Sequence, residues 1–196
     1  MYFLFEILGT VAFAVSGARL AVKKKMDILG VVILGMTTAI GGGIIRDIIL
    51  GMTPPASLTN PLYAGIAFAV SLLVFFPKIG TRINMDSMLF VLIDAIGLGT
   101  FTVIGIEKAA ATENIFLEIF MGVLTGVGGG VLRDMFAAEK PVIFVKHFYA
   151  VASLAGAIVC VLIYPHNKNI AMLLGFLTVV ALRMPAAKFK WNLPRA

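Results

Sequence analysis

The sequence predicts an all-α integral membrane protein with seven transmembrane helices, built as two inverted three-helix repeats plus a seventh helix. Three observations predict this: a composition too apolar for a water-soluble domain, seven long apolar stretches, and a glycine-rich motif that occurs twice. Of 196 residues, 60% are hydrophobic and 13% charged, with a mean hydropathy of +1.03. A soluble domain is about half apolar and about a quarter charged. A helix crossing a bilayer needs about 20 mostly apolar residues, so seven fit within this length and leave short loops. A β-barrel is excluded by pattern, because its strands alternate apolar and polar residues and these stretches are continuously apolar.

The apolar stretches fall at 2–21, 28–50, 61–76, 87–106, 115–137, 144–164 and 170–184. Lys23-Lys24-Lys25-Met26-Asp27 closes the first and Thr53-Pro54-Pro55 the second. The polar segments 77–86 and 107–114 close the third and fourth, Glu139-Lys140-Pro141 the fifth, and 165–169 the sixth. This gives a first three-helix repeat at 1–80, a second at 81–165, the seventh helix at 166–185 and a basic cytoplasmic tail at 186–196. The first stretch reads as a membrane helix and not as a cleavable signal, since no basic residue precedes its apolar core.

Of the 16 Lys and Arg residues, 12 fall on one side: Arg19, Lys23, Lys24, Lys25, Lys78, Arg82, Lys140, Lys146, Arg183, Lys188, Lys190 and Arg195. Lys108 and Lys168 fall on the other, and Arg46 and Arg133 lie inside spans. Cytoplasmic loops collect Lys and Arg, so the amino terminus is expected outside and the carboxy terminus in the cytoplasm. The same rule accounts for the net charge of +6 without nucleic acid, which is not expected as a partner. The one cysteine, Cys160, allows no disulfide, and His147 and His166 are isolated, so no metal site is expected.

Gly41-Gly42-Gly43-Ile44-Ile45-Arg46-Asp47 recurs as Gly128-Gly129-Gly130-Val131-Leu132-Arg133-Asp134. Gly35 matches Gly122, Thr38 matches Thr125 and Pro54 matches Pro141 at the same offset. With one-residue slips, Glu6, Gly9 and Gly17 match Asp94, Gly97 and Gly105, and Tyr63-Ala64 matches Tyr149-Ala150. Each copy contains three helices. Three is odd, so the second copy enters the membrane from the opposite face, giving an inverted repeat of the kind transport proteins use around a midplane pathway.

Two readings of the glycine triplets stand. They could kink the second and fifth helices and bare backbone carbonyls to a pathway, because glycine weakens a helix by about 1 kcal/mol relative to alanine. Alternatively, they let helices pack closely, as small residues do in membranes. Charge inside a span is expensive and marks a cavity, a pair or a pathway, which singles out Arg46, Asp47, Arg133 and Asp134. Adjacent helical residues do not face each other, so Arg46 is expected to pair elsewhere than Asp47. Depth matching gives two symmetry-related links, Glu6 with Arg46 and Asp94 with Arg133. The competing reading has the arginines snorkel to headgroups.

Among Thr10, Thr37, Thr38, Thr100, Thr102 and Thr125, only Thr38 and Thr125 are repeat-matched near the glycines. They could line a wet path, or their hydroxyls could bond a preceding carbonyl. Tyr63 and Tyr149 read as interfacial belt residues, the Lys23, Lys24, Lys25 cluster as a topology signal and the ten methionines as core filler. Enzyme motifs are absent: there is no GxxxxGK[ST], no nucleophile elbow and no metal-spaced His, Cys and carboxylate set. No catalytic residue and no cofactor is assigned.

These residues resemble the prokaryotic TRIC family, the trimeric intracellular cation channels, whose bacterial members are also described as glycine transporters. The resemblance covers roughly residues 1–184 and rests on the doubled GGGxxRD motif. It implies a homotrimer in the bacterial or archaeal inner membrane, with a K⁺-permeable, monovalent-cation pore inside each protomer. Carried over, it places Gly41, Gly42, Gly43, Gly128, Gly129 and Gly130 at pore kinks. Arg46, Asp47, Arg133, Asp134, Glu6 and Asp94 then sit beside the path, and Thr38 and Thr125 line it. Permeant K⁺ or Na⁺ and bound lipid are the small partners implied. The basic lipid-binding motif of animal members has no counterpart in 107–114, so lipid regulation is not carried over. A secondary transporter of a small zwitterion such as glycine is the alternative, and a structural scaffold a third. No TVGYG filter is present, so weak K⁺ over Na⁺ discrimination is expected.

Overall fold

A computed structural model describes the whole chain except residues 81–83, 86, 146–147 and 192–196, with the side chains of 78 and 79 also outside the description. The basic residues Arg82, Lys146 and Arg195 and the isolated His147 therefore lie outside the described residues, as does the side chain of Lys78. The regular secondary structure of the described residues is all helical, with no strand.

Seven longer helices carry the fold: α1 (Tyr2–Lys23), α2 (Ile28–Ile49), α3 (Pro61–Phe75), α4 (Met88–Ala109), α5 (Ile115–Phe136), α6 (Tyr149–Ile163) and α7 (Lys168–Lys188). Short turns of helix at Ala56–Thr59, Pro77–Gly80 and Val142–Val145 and a 3₁₀ turn at Ala110–Thr112 join them. Among the described residues, five segments are long and apolar enough to cross a bilayer: α1, α2, Met88–Thr112, α5 and α7. Helices α3 and α6 have 15 residues each. At 1.5 Å per residue they reach about 22 Å, short of a hydrocarbon core of about 30 Å.

The starts are written in the polar punctuation. Asp27, Asn60, Ser87, Asn114 and Asn167 each accept a hydrogen bond from a backbone N–H in the first turn of the helix that follows. This satisfies donors that would otherwise be stranded at a helix end. The ends of α2 and α5 are closed alike. Gly51 (φ 71°) and Ala138 (φ 54°) take the left-handed conformation at repeat-matched positions. The next amides, of Met52 and Glu139, bond back to the carbonyls of Asp47 and Asp134, at 2.8 Å in each case.

Two boundaries differ from the sequence expectation. The stretch 144–164 is not one helix: Phe148 adopts φ 51° between Val142–Val145 and α6. Helix α7 runs to Lys188 through Pro185, so the first residues assigned to the tail are helical.

Packing repeats with the sequence. Helix α1 packs on α2 and α3, and α2 on α3; in the same way α4 packs on α5 and α6, and α5 on α6. The two triplets meet through α1 against α4 and α2 against α5, while α7 packs on α4 and α6. Phe13 of α1 and Phe101 of α4 fill the junction with ring centroids 5.3 Å apart. Large apolar side chains such as Phe68, Leu73, Phe116 and Leu162 face outward, as expected where lipid is the solvent.

Candidate functional site

Two clusters of buried charge sit at repeat-matched places. In the first, Arg46 is 4% exposed. Its Nε donates to Asp47 Oδ1 at 2.8 Å, and Nη2 lies 2.7 Å from the same oxygen. The other Asp47 oxygen accepts the Ala56 amide at 2.9 Å. In the second, Arg133 Nε donates to Asp134 Oδ1 at 2.8 Å, and Asp134 Oδ2 accepts the Val142 amide at 2.8 Å. Each RD pair thus does one local job: the aspartate holds its arginine with one oxygen and the returning chain with the other. The expectation that Arg46 pairs elsewhere than Asp47 is corrected. The two side chains leave the helix about 100° apart, but arginine is long enough to bend back.

Beyond that, the clusters diverge. Arg133 Nη1 reaches Asp94 Oδ1 on α4 at 2.6 Å and Ser16 Oγ on α1 at 2.5 Å. Ser16 Oγ in turn donates to Asp94 Oδ1 at 3.0 Å. The expected Asp94–Arg133 link is therefore present. With Arg133 3% exposed, snorkelling is set aside. The expected Glu6–Arg46 link is absent. One Glu6 oxygen accepts from the Tyr2 hydroxyl at 2.5 Å and the other from the Tyr63 hydroxyl. Both carboxylate oxygens are thereby engaged by phenols, while Asp47 holds the guanidinium. Glu6 and Arg46 instead border one cavity of about 30 Å³ with Thr10, Gly43, Ser57 and Tyr63, room for a water molecule.

The second cluster opens on a larger cavity of about 480 Å³, bordered by Lys23, Phe90, Asp94, Arg133, Asp134, Glu139, Arg183 and Lys190. Tyr149, expected at an interfacial belt, is buried here. The guanidinium of Arg183 on α7 lies over its ring at 4.8 Å from the centroid, within cation–π range. Arg183 is 4% exposed.

Neither glycine triplet interrupts its helix: α2 and α5 are each a single helical segment of 22 residues. The hydrogen-bonded helix therefore continues through both triplets. The triplets are where the two halves touch. A Cβ on Gly42 would lie 2.6 Å from the Thr125 carbonyl oxygen, and one on Gly128 would lie 3.2 Å from Gly42 Cα. A Cβ on Gly129 would collide with the Thr38 carbonyl, and one on Gly41 would lie 2.5 Å from Leu132 Cδ1. The third glycines differ. A Cβ on Gly43 meets only Arg46 Nη2 at 3.7 Å, and one on Gly130 lies 3.2 Å from the Tyr149 hydroxyl. The first two positions serve close packing, Gly43 leaves space under its arginine, and Gly130 lies close under the Tyr149 hydroxyl. Thr38 and Thr125 donate to the carbonyls of Leu34 and Met121, both at 2.6 Å. Neither borders the two cavities; Thr10 does.

Sequence reasoning missed Arg183, Ser16 and the phenol partners of Glu6. Arg183 lies inside the seventh apolar stretch and carried a signal as an intramembrane charge, but the side-counting rule absorbed it. Among the described residues, no group of three His, Cys, Asp or Glu is placed to hold a metal.

A bundle of long apolar helices, with matched Arg-Asp pairs buried where two three-helix groups meet, defines a polytopic membrane protein of a transport class. The family model described as "Glycine transporter" matches residues 3–78 and 91–165. The chain belongs to this family, the prokaryotic TRIC family. It is 36% identical over 99% of its length, and 82% of the relative's, to a membrane protein of Vibrio cholerae. It is 36% identical to the inner membrane protein YadS of Escherichia coli K12, covering 96% and 93% of the two chains. Among solved structures, it matches a TRIC cation channel at a TM-score of 0.89 and 41% identity, covering 98% and 96% of the two chains. It also matches the TRIC orthologue of Rhodobacter sphaeroides at 0.90 and 34%, covering 96% and 97%.

Proposed function

We propose that this protein is a cation channel of the inner membrane, permeable to K⁺, with a pathway inside each protomer. The observation that carries the reading is the meeting of α2 and α5 at the two glycine triplets, flanked on either side by an Arg-Asp cluster with its own cavity. Relatives with the same fold support it: the neighbours at TM-scores of about 0.9 are TRIC cation channels, one of them studied in 0.5 M KCl. On this reading the seven longer helices all span, α3 and α6 at the short limit. They form two inverted repeats, 1–80 and 81–165, followed by α7. The two stretches matched by the family model support that division. The first cluster then lies toward the outside and the second toward the cytoplasm, with the amino terminus outside, and three protomers assemble. The larger cavity is the cytoplasmic vestibule and the smaller one the outer constriction.

A second reading, a glycine carrier, rests on the family description alone; the structural neighbours do not favour it. Recording in a planar bilayer separates the two. Discrete current steps reversing near the K⁺ potential, unaffected by glycine, are expected of a channel. A silent bilayer, with saturable glycine uptake by liposomes from the same preparation, would make the protein a carrier.

A further inference from the structure

We infer that Glu6 is the cation-selecting residue of the pathway, and that Arg183 of α7 cancels the same capacity in its repeat-matched counterpart, Asp94. The inference rests on the channel reading. In the first cluster two carboxylates, Glu6 and Asp47, face one guanidinium, Arg46. In the second, three carboxylates, Asp94, Asp134 and Glu139, share a cavity with four cations, Lys23, Arg133, Arg183 and Lys190. The first therefore carries a formal excess of one negative charge and the second a formal excess of one positive charge.

The hydrogen bonds agree with this count. Asp94 is closed off by Arg133 at 2.6 Å and by Ser16. Glu6 is held by two phenols, which are neutral donors near pH 7. They orient the carboxylate and leave its charge standing. Lys108 lies 5.3 Å from the far ring of Tyr2 and makes no ion pair with Glu6. Thr10 and Ser57 add hydroxyl oxygens to the same cavity, and Ser57 Oγ is buried without a hydrogen-bond partner. A carboxylate beside hydroxyl oxygens in a space of one water attracts and meets a partly dehydrated monovalent cation. The buried arginines Arg46, Arg133 and Arg183 would otherwise repel it. Arg183 belongs to the one helix without a repeat counterpart. That helix thus breaks the electrostatic symmetry of the two halves and confines cation attraction to one end.

A fixed charge concentrates counter-ions, and salt screens the effect. The test is single-channel recording in planar bilayers at about 20 mM and about 1 M KCl, where the Debye length differs severalfold. E6Q is expected to lower K⁺ conductance about three- to tenfold at low salt, and by less than about twofold at high salt. Its K⁺ over Cl⁻ permeability ratio falls alongside. E6D keeps the charge and restores the larger part of both. R183Q removes the positive excess of the second cluster and raises low-salt conductance by about twofold or more. E6Q with wild-type conductance and permeability ratio at low salt overturns the inference while leaving the channel reading intact. A wild-type protein that passes no current overturns the channel reading itself. Should E6Q fail to assemble, R183Q decides alone, and no gain at low salt overturns the inference.

Discussion

Arg133 on α5 and Asp94 on α4 are joined at 2.6 Å in a buried ion pair, whereas the repeat-matched Arg46 and Glu6 stand apart across a water-sized cavity. One duplicated sequence has therefore produced two different electrostatic states. The shared part is the RD pair and the amide it holds, of Ala56 in one copy and Val142 in the other. The variable part is the acid on the first helix of each repeat and the tyrosine that opens the third. Tyr63 holds its acid, while Tyr149 is occupied by Arg183.

Breaking the buried Asp94–Arg133 pair from one side leaves an uncompensated charge, at a cost of about 3–5 kcal/mol. D94N and R133M are each expected to unfold well below the wild-type temperature in a common detergent. The double change D94L/R133M recovers much of the loss, because both charges leave together. A D94N protein that melts within a degree or two of wild type would count against the pair as a structural element.

The glycine triplets divide by position. G42A pushes a methyl group against the Thr125 carbonyl and is expected to destabilise by about 1–3 kcal/mol through overpacking. G43A meets only the flexible end of Arg46 and gains helix propensity of up to about 1 kcal/mol. Thermal unfolding of the two variants side by side should show opposite signs. Equal losses would mean that the third glycine is also a packing residue.

Much of this fold was legible in the sequence because the signals were periodic. Apolar stretches located the helices, and the doubled GGGxxRD fixed which residues correspond, including Asp94 opposite Arg133. What escaped was side-chain choice between partners of similar reach. Nothing in the spacing says that Glu6 takes two phenols instead of Arg46, or that Arg46 curls back to Asp47. Thr38 and Thr125 matched each other correctly, but their hydroxyls bond carbonyls one turn earlier. The start of α6 was hidden because Phe148 takes a left-handed backbone that its residue type does not advertise.

The aspartates of the RD pairs should act on the chain that follows them. D134N weakens the acceptor for the Val142 amide, now held at 2.8 Å by a carboxylate oxygen. Charge-assisted hydrogen bonds contribute about 1.5–3 kcal/mol. Hydrogen exchange at Val142 is expected to accelerate about tenfold or more, with the middle of α5 unchanged. D47N does the same at Ala56. Acceleration spread evenly over the whole helix would instead report global destabilisation.

The two repeat-matched tyrosines give the sharpest contrast between the halves. The Tyr63 hydroxyl donates to the Glu6 carboxylate, so Y63F removes a hydrogen bond to a charged group. The expected loss is about 1.5–3 kcal/mol, read as a lower unfolding temperature. The Tyr149 hydroxyl is buried beside Asp94 but makes no hydrogen bond of good geometry, and its ring keeps its face to Arg183 when the hydroxyl is removed. Y149F is therefore expected to be neutral or mildly stabilising, since it deletes an unsatisfied buried polar atom. If the two variants melted alike, the two acids would be held in the same way, and the electrostatic asymmetry assigned to the clusters would lose its structural basis.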